Sequence, residues 1–270
     1  MRVGNLMMEG SHERDPLTPD EREEYETDLI AFCDYELGLL GDIRGLNVLY
    51  AGGWSPLWLE GLSQRIGESG ALFALESDET RVKEGWKLLG EADLAASVRL
   101  VAGDVFQPPF AWDVFDLAYS AGLFHELDVR ESGLGDALLA LTSVVRPGGR
   151  VATSDFVDCV PAAQLEDEEL QRDWVRKIAG VEYHGISSPK HLIALHQSLL
   201  TDVRCQVSPP RPIRHLSKIF FTEEPEELRG LSAGTEWELR ERYEALRNRV
   251  LREGYTRPAT VYVEGMVPER

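Results

Sequence analysis

The glycine turn within Asn47–Pro56 constrains the fold of this chain more than any other feature. The apolar run Val48–Ala51 predicts a buried strand, Gly52 and Gly53 predict a tight turn, and the Ser-Pro pair that follows suits the first positions of a helix. Backbone N–H groups and the helix N-terminus converge at such a turn, so an anionic or strongly polar ligand can bind there without any side chain. The pattern therefore predicts the start of a βαβ unit, and with it a parallel sheet.

The segments that follow repeat this alternation of strand and helix. Leu72–Leu75 is a short apolar run that ends in Glu76, where nucleotide-binding βαβ units place an acid for the ribose hydroxyls. Three further apolar runs lead into polar or glycine-containing loops: Val98–Val101 into Gly103-Asp104-Val105, Phe115–Ser120 into Gly122-Leu123-Phe124-His125, and Leu141–Val145 into Arg146-Pro147-Gly148-Gly149. This order indicates an α/β fold whose sheet is covered by helices on both faces.

With these motifs the chain resembles the class I S-adenosylmethionine-dependent methyltransferases that act on small molecules, over roughly positions 45 to 160. The resemblance implies a Rossmann-like sheet of seven mostly parallel strands, with the seventh strand antiparallel between the fifth and the sixth. It also implies S-adenosylmethionine as the cofactor. A nicotinamide-dependent enzyme of related fold is an alternative, but it would be expected to carry a fuller G-x-G-x-x-G motif and has no reason for the Pro-Gly-Gly turn.

The resemblance assigns cofactor-binding positions residue by residue, namely Gly52, Gly53, Glu76, Asp104, Val105 and Ser120. Gly52 lies where a side chain would collide with the ligand, and Glu76 matches the ribose-binding acid. Asp104 and Val105 match the pair that borders adenine, while Ser120, with Ala121, matches backbone positions close to the methionine part. Two alternatives stay open, because Glu76 could be a solvated carboxylate at a strand end and Asp104 could cap the loop that follows it.

Three residues depart from the pattern of the family, which usually has an acid at the position of Tyr50 and glycines at those of Trp54 and Pro56. Tyr50 cannot supply the negative charge that helps to hold the cofactor's ammonium group. Trp54 places an indole where close backbone approach is normally needed. A second hypothesis is therefore a methyltransferase-like binding or regulatory subunit without catalysis.

Methyl transfer needs few catalytic side chains, because the sulfonium already activates the methyl group. Most of the acceleration comes from aligning the acceptor with that group and excluding water. An oxygen or nitrogen acceptor can also need a base, for which a neutral histidine is well matched at pH 7. His125, after the fourth strand, is the first candidate catalytic base, and His184 is the second. A histidine is also frequent at the first position in the family without being a base. No metal site is expected, because Asp155 and Asp158 lack a third ligand.

The predicted organisation is a disordered N-terminus, residues 1–17, followed by a single methyltransferase-like domain, residues 18–270, with insertions near 156–187 and 209–257. Thr18, Pro19 and Glu21 predict a capping box and a helix to about Leu40, with an inner face formed by Leu29, Ile30, Phe32, Cys33 and Leu37. In the family such a helix often covers the cofactor, although it could simply bury the edge of the sheet. The insertions should form walls or lids, with aromatic surface from Trp174, Tyr183, His184, Phe220 and Phe221.

The predicted strands are 47–51, 71–76, 98–102, 115–120, 149–155, 203–208 and 259–264. The predicted helices that cover them are 56–66, 79–90, 134–145, 162–179, 189–200 and 235–253.

The charge and composition of the chain limit the kinds of partner that it can bind. The net charge of -19 argues against nucleic acids and anionic membranes, because both would repel the surface. No apolar run is long enough to span a bilayer. The three cysteines show no C-x-x-C spacing, which favours reduced thiols and a cytoplasmic location. The acceptor and the oligomeric state stay open.

Overall fold

The computed structural model describes residues 16–52, 56–89, 94, 96–159, 162–220, 235–257 and 259–269. Nine strands are present in this part of the chain: β1 Asn47–Ala51, β2 Ala71–Glu76, β3 Ser97–Ala102, β4 Phe115–Ala121, β5 Val145–Phe156, β6 Thr201–Ser208, β7 Arg211–Pro212, β8 Thr256–Arg257 and β9 Thr260–Met266. Seven of them form one sheet in the order β3-β2-β1-β4-β5-β9-β6. Strands β1 to β5 pair in parallel, and β9 runs antiparallel to both of its neighbours. The Rossmann-like α/β fold and the place of the antiparallel strand are therefore confirmed.

Eight α-helices accompany these strands within the described residues: α1 Pro19–Gly38, α2 Pro56–Ile66, α3 Glu79–Leu89, α4 Leu134–Val144, α5 Ala162–Ala179, α6 Pro189–Leu199, α7 Leu216–Phe220 and α8 Thr235–Glu253. Helices cover both faces of the sheet, as the continuous apolar strands require. Alternate residues of β1 serve the two faces: Val48 and Tyr50 pack with α1 and α2, while Leu49 and Ala51 pack with α4 and α6.

Helix α1 begins with the predicted capping box. The backbone N–H of Glu21 donates to Thr18 Oγ1 at 3.4 Å, and Glu21 Oε2 accepts from the backbone N–H of Thr18 at 3.0 Å. Leu17, which was assigned to the disordered segment, is only 6% exposed and packs in the core. Residues 1–15 lie outside the described part of the chain.

The inner face of α1 differs from the prediction at two positions. Ile30 was expected inside but is 37% exposed, whereas Glu36 is 1% exposed and lies in line with the buried Phe32 and Cys33. The buried residues of α1 recur three or four positions apart, and Ile30 falls outside this spacing because it is adjacent to the buried Leu29.

Strand β5 is longer than predicted because the Pro-Gly-Gly segment belongs to it. The register between β4 and β5 shifts between the pair Phe115 and Val145 and the pair Leu117 and Arg150, so the extra residues form an irregularity in the strand. Gly148 permits this with φ of +72°. Sequence patterns also missed α7 and the two-residue pairing of β7 with β8, because so short an element depends on its neighbours for stability.

The two insertions form a separate layer. Helices α5 and α8 pack together around Trp174 and Tyr243, apart from the core clusters of the sheet. Arg242 and Asp173, 2.6 Å apart, add an ion pair between them. The predicted pocket residue Trp174 is thus a core residue of this layer, and Phe221 lies outside the described residues.

None of the helices that the structure describes is long and apolar enough to cross a membrane. The three cysteines are unpaired, with Cys33 buried and Cys159 and Cys205 exposed.

Candidate functional site

A cavity of about 730 Å³ lies at the carboxyl ends of β1, β2 and β3, and we call it the first cavity. Four of the positions assigned from the sequence line it together, namely Gly52, Glu76, Asp104 and Val105. Leu123 and Glu126, from the segment after β4, also line it. The parallel strands explain this convergence, because their carboxyl ends meet at one edge of the sheet.

Glu76 ends β2 and is 4% exposed. Its Oε1 accepts hydrogen bonds from the backbone N–H of Asp78 at 3.0 Å and from Ser77 Oγ at 3.4 Å. Its Oε2 makes no hydrogen bond, although Arg81 Nη1 lies 3.4 Å away as an ion-pair partner. Glu76 therefore brings to the first cavity a buried carboxylate with an unused acceptor, which fits a ligand that offers hydroxyl groups.

Asp104 is exposed, and its Oδ1 accepts from the backbone N–H of Phe106 at 2.9 Å. The loop-capping role considered from the sequence is therefore present. It is compatible with ligand binding, because a carboxylate can accept several hydrogen bonds and both Asp104 and Val105 line the first cavity.

Gly52 follows β1 with φ of +118°, a conformation that side chains rarely permit. A Cβ atom at this position would lie 3.1 Å from Leu123 Cβ. Close approach of the two turns after β1 and β4 therefore requires glycine. Gly53 and Trp54 lie outside the described residues, while Pro56 begins α2.

Tyr50 and Ser120 are buried in the sheet. The Tyr50 ring lies 5.9 Å from that of Tyr119, and burial raises the pKa of Tyr50. The Ser120 hydroxyl donates to Thr153 Oγ1 at 3.3 Å, so its side chain serves the sheet, and the residue is absent from the lining of the first cavity.

A second cavity, of about 180 Å³, lies between α1 and the carboxyl ends of β1, β4 and β5. Phe32, Tyr50, Ala121 and Phe156 give it apolar walls, and Glu36 and Asp155 add buried carboxylates. The two cavities flank the same two turns: Gly52 and Leu123 line the first cavity, whereas Tyr50 and Gly122 line the second.

His125 lies in a 3₁₀ turn, Phe124–Glu126, and is buried against the end of β5. Its Nδ1 is 2.6 Å from Asp155 Oδ1, and its ring centroid is 4.9 Å from that of Phe156. Asp155 Oδ2 also accepts from the backbone N–H groups of Phe124 at 2.6 Å and His125 at 3.3 Å. Asp155 therefore fixes both the ring and the turn that carries it.

Two opposing effects set the charge of His125. Burial lowers the pKa, but the Asp155 carboxylate, with smaller contributions from Glu126 and Glu168, overcomes it and raises the pKa to about 9. The imidazole is thus held as a cation at pH 7, whereas the sequence analysis assigned the role of base to a neutral imidazole.

Sequence reasoning missed two carboxylates beside His125. Asp155 was considered only as a metal ligand, and Glu168 of α5 was not considered. Burial raises the pKa of Glu168 to about 7, against the lowering effect of His125. Among the described residues, no group of three or more histidine, cysteine or acidic side chains is arranged to hold a metal ion.

His184, the second candidate base, is half-buried, and its ring centroid is 5.1 Å from that of His191. Burial and then the charge of His191 lower the pKa of His184. Its Nε2 makes no hydrogen bond. The neighbouring Tyr183 lines the first cavity.

Comparison with known proteins agrees with this geometry. Residues 51–153 match a family model described as a methyltransferase domain. The matched segment runs from the end of β1 into β5 and contains Gly52, Glu76, Asp104 and Val105, which line the first cavity.

The chain is 32% identical over 123 residues to the ubiquinone/menaquinone biosynthesis C-methyltransferase UbiE of Azotobacter vinelandii. The alignment covers 45% of this chain and 47% of that protein, so the chain spans about half the length of this curated relative.

Solved structures share the fold over a larger part of the chain. A cyclopropane-fatty-acyl-phospholipid synthase-like protein from Lactobacillus casei superposes with a TM-score of 0.64 at 15% identity, covering 98% of this chain and 97% of that one. Geranyl diphosphate C-methyltransferase from Streptomyces coelicolor, solved with Mg²⁺, geranyl-S-thiolodiphosphate and S-adenosyl-L-homocysteine, gives a TM-score of 0.54 at 14% identity, with coverages of 96% and 83%. At these identities the similarity shows the fold.

Proposed function

We propose that this protein is an S-adenosylmethionine-dependent methyltransferase that acts on a small-molecule acceptor. The observation that carries the proposal is Glu76, a buried carboxylate with an unused acceptor oxygen in the wall of the first cavity. It lies within the segment that matches the methyltransferase family model.

The proposed binding mode follows the lining of the two cavities. Glu76 accepts hydrogen bonds from the ribose hydroxyls, while Asp104 accepts from the exocyclic amine of adenine and Val105 packs on the ring. Backbone groups at Gly52 and near Ser120 lie along the path towards the methionine part.

The charge of the first cavity favours S-adenosylmethionine over a nicotinamide dinucleotide. Its lining contains six acidic side chains and two basic ones. These acids repel the diphosphate of a dinucleotide, whereas the sulfonium compound carries no phosphate and has a positive charge at sulfur. The nicotinamide-dependent alternative is accordingly set aside.

The bound cofactor would supply an activated methyl group, so the protein's own residues mainly bind, orient and exclude water. The pair His125–Asp155 holds the turn that carries Leu123 and Glu126 to the first cavity. We propose that His125 positions this turn at pH 7, and that it acts as a base only after it loses its proton near pH 9.

The acidic surface supports small molecules as partners in preference to nucleic acids. The unpaired cysteines support a reducing location such as the cytoplasm.

Isothermal titration of the purified protein with S-adenosylhomocysteine tests the proposal, with NAD as a second titrant. We expect micromolar binding of the sulfur compound, no binding of NAD, and an affinity about ten- to hundredfold lower in Glu76→Gln, the range expected for losing hydrogen bonds to a charged group. Glu79→Gln, an exposed acid in the first turn of α3, is the matched control and should bind as the wild type does. Equal affinity in both variants would contradict the assignment of Glu76.

A binding or regulatory subunit without catalysis is the second candidate function, because β1 carries the buried Tyr50 in place of an acid. Binding of S-adenosylhomocysteine without methyl transfer to any compound of a chemically broad acceptor panel would favour this candidate.

A further inference from the structure

Glu36 is a buried acid in the wall of the second cavity, and no basic side chain among the described residues contacts it. It belongs to the inner face of α1, is 1% exposed, and lines the second cavity together with Tyr50, Gly122 and Phe156. Ser154, Asp155 and Thr260 also line the cavity, so the partners of each acid in this wall decide what the wall can bind.

Two hydroxyl groups donate hydrogen bonds to Glu36. Thr260 Oγ1 donates to Oε1 at 3.0 Å, and Ser154 Oγ donates to Oε2. Within the part of the chain that the structure describes, no lysine, arginine or histidine side chain contacts it. An ionised carboxylate has about four acceptor sites, so two hydroxyl donors leave it with free capacity.

Other buried acids of the sheet have cationic partners. Glu264 lies 3.2 Å from Arg150 Nη1 and 3.0 Å from Arg204 Nη2, and Asp155 is paired with His125. Glu36 differs from both because it lines the second cavity without a cationic partner, whereas Asp155 lines the same cavity but is paired with His125. A buried carboxylate without a cation is costly, and a ligand cation in that cavity would remove the cost.

The position of the second cavity indicates which cation. It lies where the strand order reverses between β1 and β4, and neighbouring residues line the two cavities: Gly52 and Leu123 line the first, and Tyr50 and Gly122 line the second. A ligand whose adenosine lies in the first cavity would therefore reach the second cavity with its other end. In S-adenosylmethionine that end carries an ammonium group.

We propose that Glu36 binds the ammonium group of the amino-acid part of the cofactor, so that α1 supplies the negative charge that Tyr50 of β1 does not. This inference rests on the proposed function. It makes α1 a binding element of the site as well as a cover for the sheet.

The test compares two ligands that differ at the group concerned. S-adenosylhomocysteine carries the amino-acid part, whereas 5′-methylthioadenosine has the adenosine and a thioether without it. In Glu36→Gln we expect affinity for S-adenosylhomocysteine to fall about ten- to hundredfold, and affinity for 5′-methylthioadenosine to stay within twofold of the wild type. Unchanged affinity for S-adenosylhomocysteine, or an equal loss for both ligands, would overturn the proposal.

Two further variants keep the test informative. Glu264→Gln removes another buried carboxylate, which has its own arginines, and should leave both affinities unchanged in the folded protein. Glu36→Asp keeps the carboxylate but shortens the side chain, so it should lower the affinity for S-adenosylhomocysteine less than Glu36→Gln does. A wild-type protein that binds neither ligand would overturn the proposed function as well, whereas binding of both with no effect at Glu36 would overturn this inference alone.

Discussion

Replacing Asp155 by asparagine should convert His125 from a cation into a neutral imidazole at pH 7. The two side chains are buried and 2.6 Å apart, and the Asp155 carboxylate is the main influence that outweighs burial at His125. Without that carboxylate, burial becomes dominant and disfavours the charged ring. We expect the pKa of His125, about 9 in the wild type, to fall below 7 in Asp155→Asn.

The raised pKa of His125 also makes the stability of the protein depend on pH. A rise from the ordinary value of 6.5 to about 9 corresponds to about 3 kcal/mol of stabilisation by the protonated form. Because the folded-state pKa is the higher one, this stabilisation is fully present below pH 6.5 and is lost as the pH rises towards and past 9. The free energy of unfolding of the wild type should therefore fall over this window by about 3 kcal/mol more than that of His125→Gln.

Two measurements check these expectations. Carbon-13 NMR of labelled histidine rings, titrated in the wild type and in Asp155→Asn, gives the pKa of His125 directly. Urea unfolding followed by circular dichroism, at several pH values from 6 to 10, gives the stability of the wild type and of His125→Gln. Glu168 also titrates near His125, with a pKa of about 7, so both unfolding series are repeated in the Glu168→Gln background.

A wild-type His125 that titrates below 6.5 would contradict the assignment of a cationic imidazole. Equal losses of stability in the wild type and His125→Gln between pH 6.5 and 10 would contradict it as well. Either result would mean that desolvation outweighs the Asp155 carboxylate, and that the neutral imidazole expected from the sequence is present after all.

Two further predictions concern backbone geometry and helix capping. Gly52→Ala should destabilise the protein by about 1–3 kcal/mol and weaken the binding of S-adenosylhomocysteine, because φ is +118° and the new methyl group would lie 3.1 Å from Leu123 Cβ. The control Gly67→Ala, at a glycine with φ of +71° and open space around it, should lower the stability without changing the affinity. Equal affinities of the two variants in calorimetry would contradict this prediction. Thr18→Ala should lower the free energy of unfolding in urea by about 1 kcal/mol, since it removes the capping box. Thr27→Ala, in the middle of the same helix, should not lower it by this amount. Equal losses of stability in the two variants would exclude the capping role.

The sheet could be predicted from the sequence because its signals are local. Strand β1, its glycine turn and the start of α2 are specified by adjacent residues, and the structure places β1 and α2 at the predicted bounds. The same holds for the capping box at Thr18. Glu76, Asp104 and Val105 meet at one cavity because topology alone brings the ends of parallel strands together.

Glu36 and Asp155 could not be assigned in this way, because their partners are remote along the chain. Glu36 receives hydrogen bonds from Ser154 and Thr260, which are 118 and 224 positions away. One local signal was available, since Glu36 falls four residues after Phe32 and three after Cys33 on the apolar stripe of α1. A charged residue on such a stripe is costly to bury, so it indicates either a compensating partner or a ligand.

The charges of the site, taken together, favour the proposed cofactor over a nicotinamide dinucleotide. The imidazolium of His125 would oppose a cationic cofactor, but Asp155 pairs with it in the protein. The remaining acids outnumber the basic groups: Glu36 contacts no cation among the described residues, and six acidic side chains face two basic ones in the first cavity. Such a site stabilises a ligand with sulfonium and ammonium groups and repels one with a diphosphate. Because both ligands contain adenosine, the comparison with NAD therefore tests the charge of the site more directly than its shape.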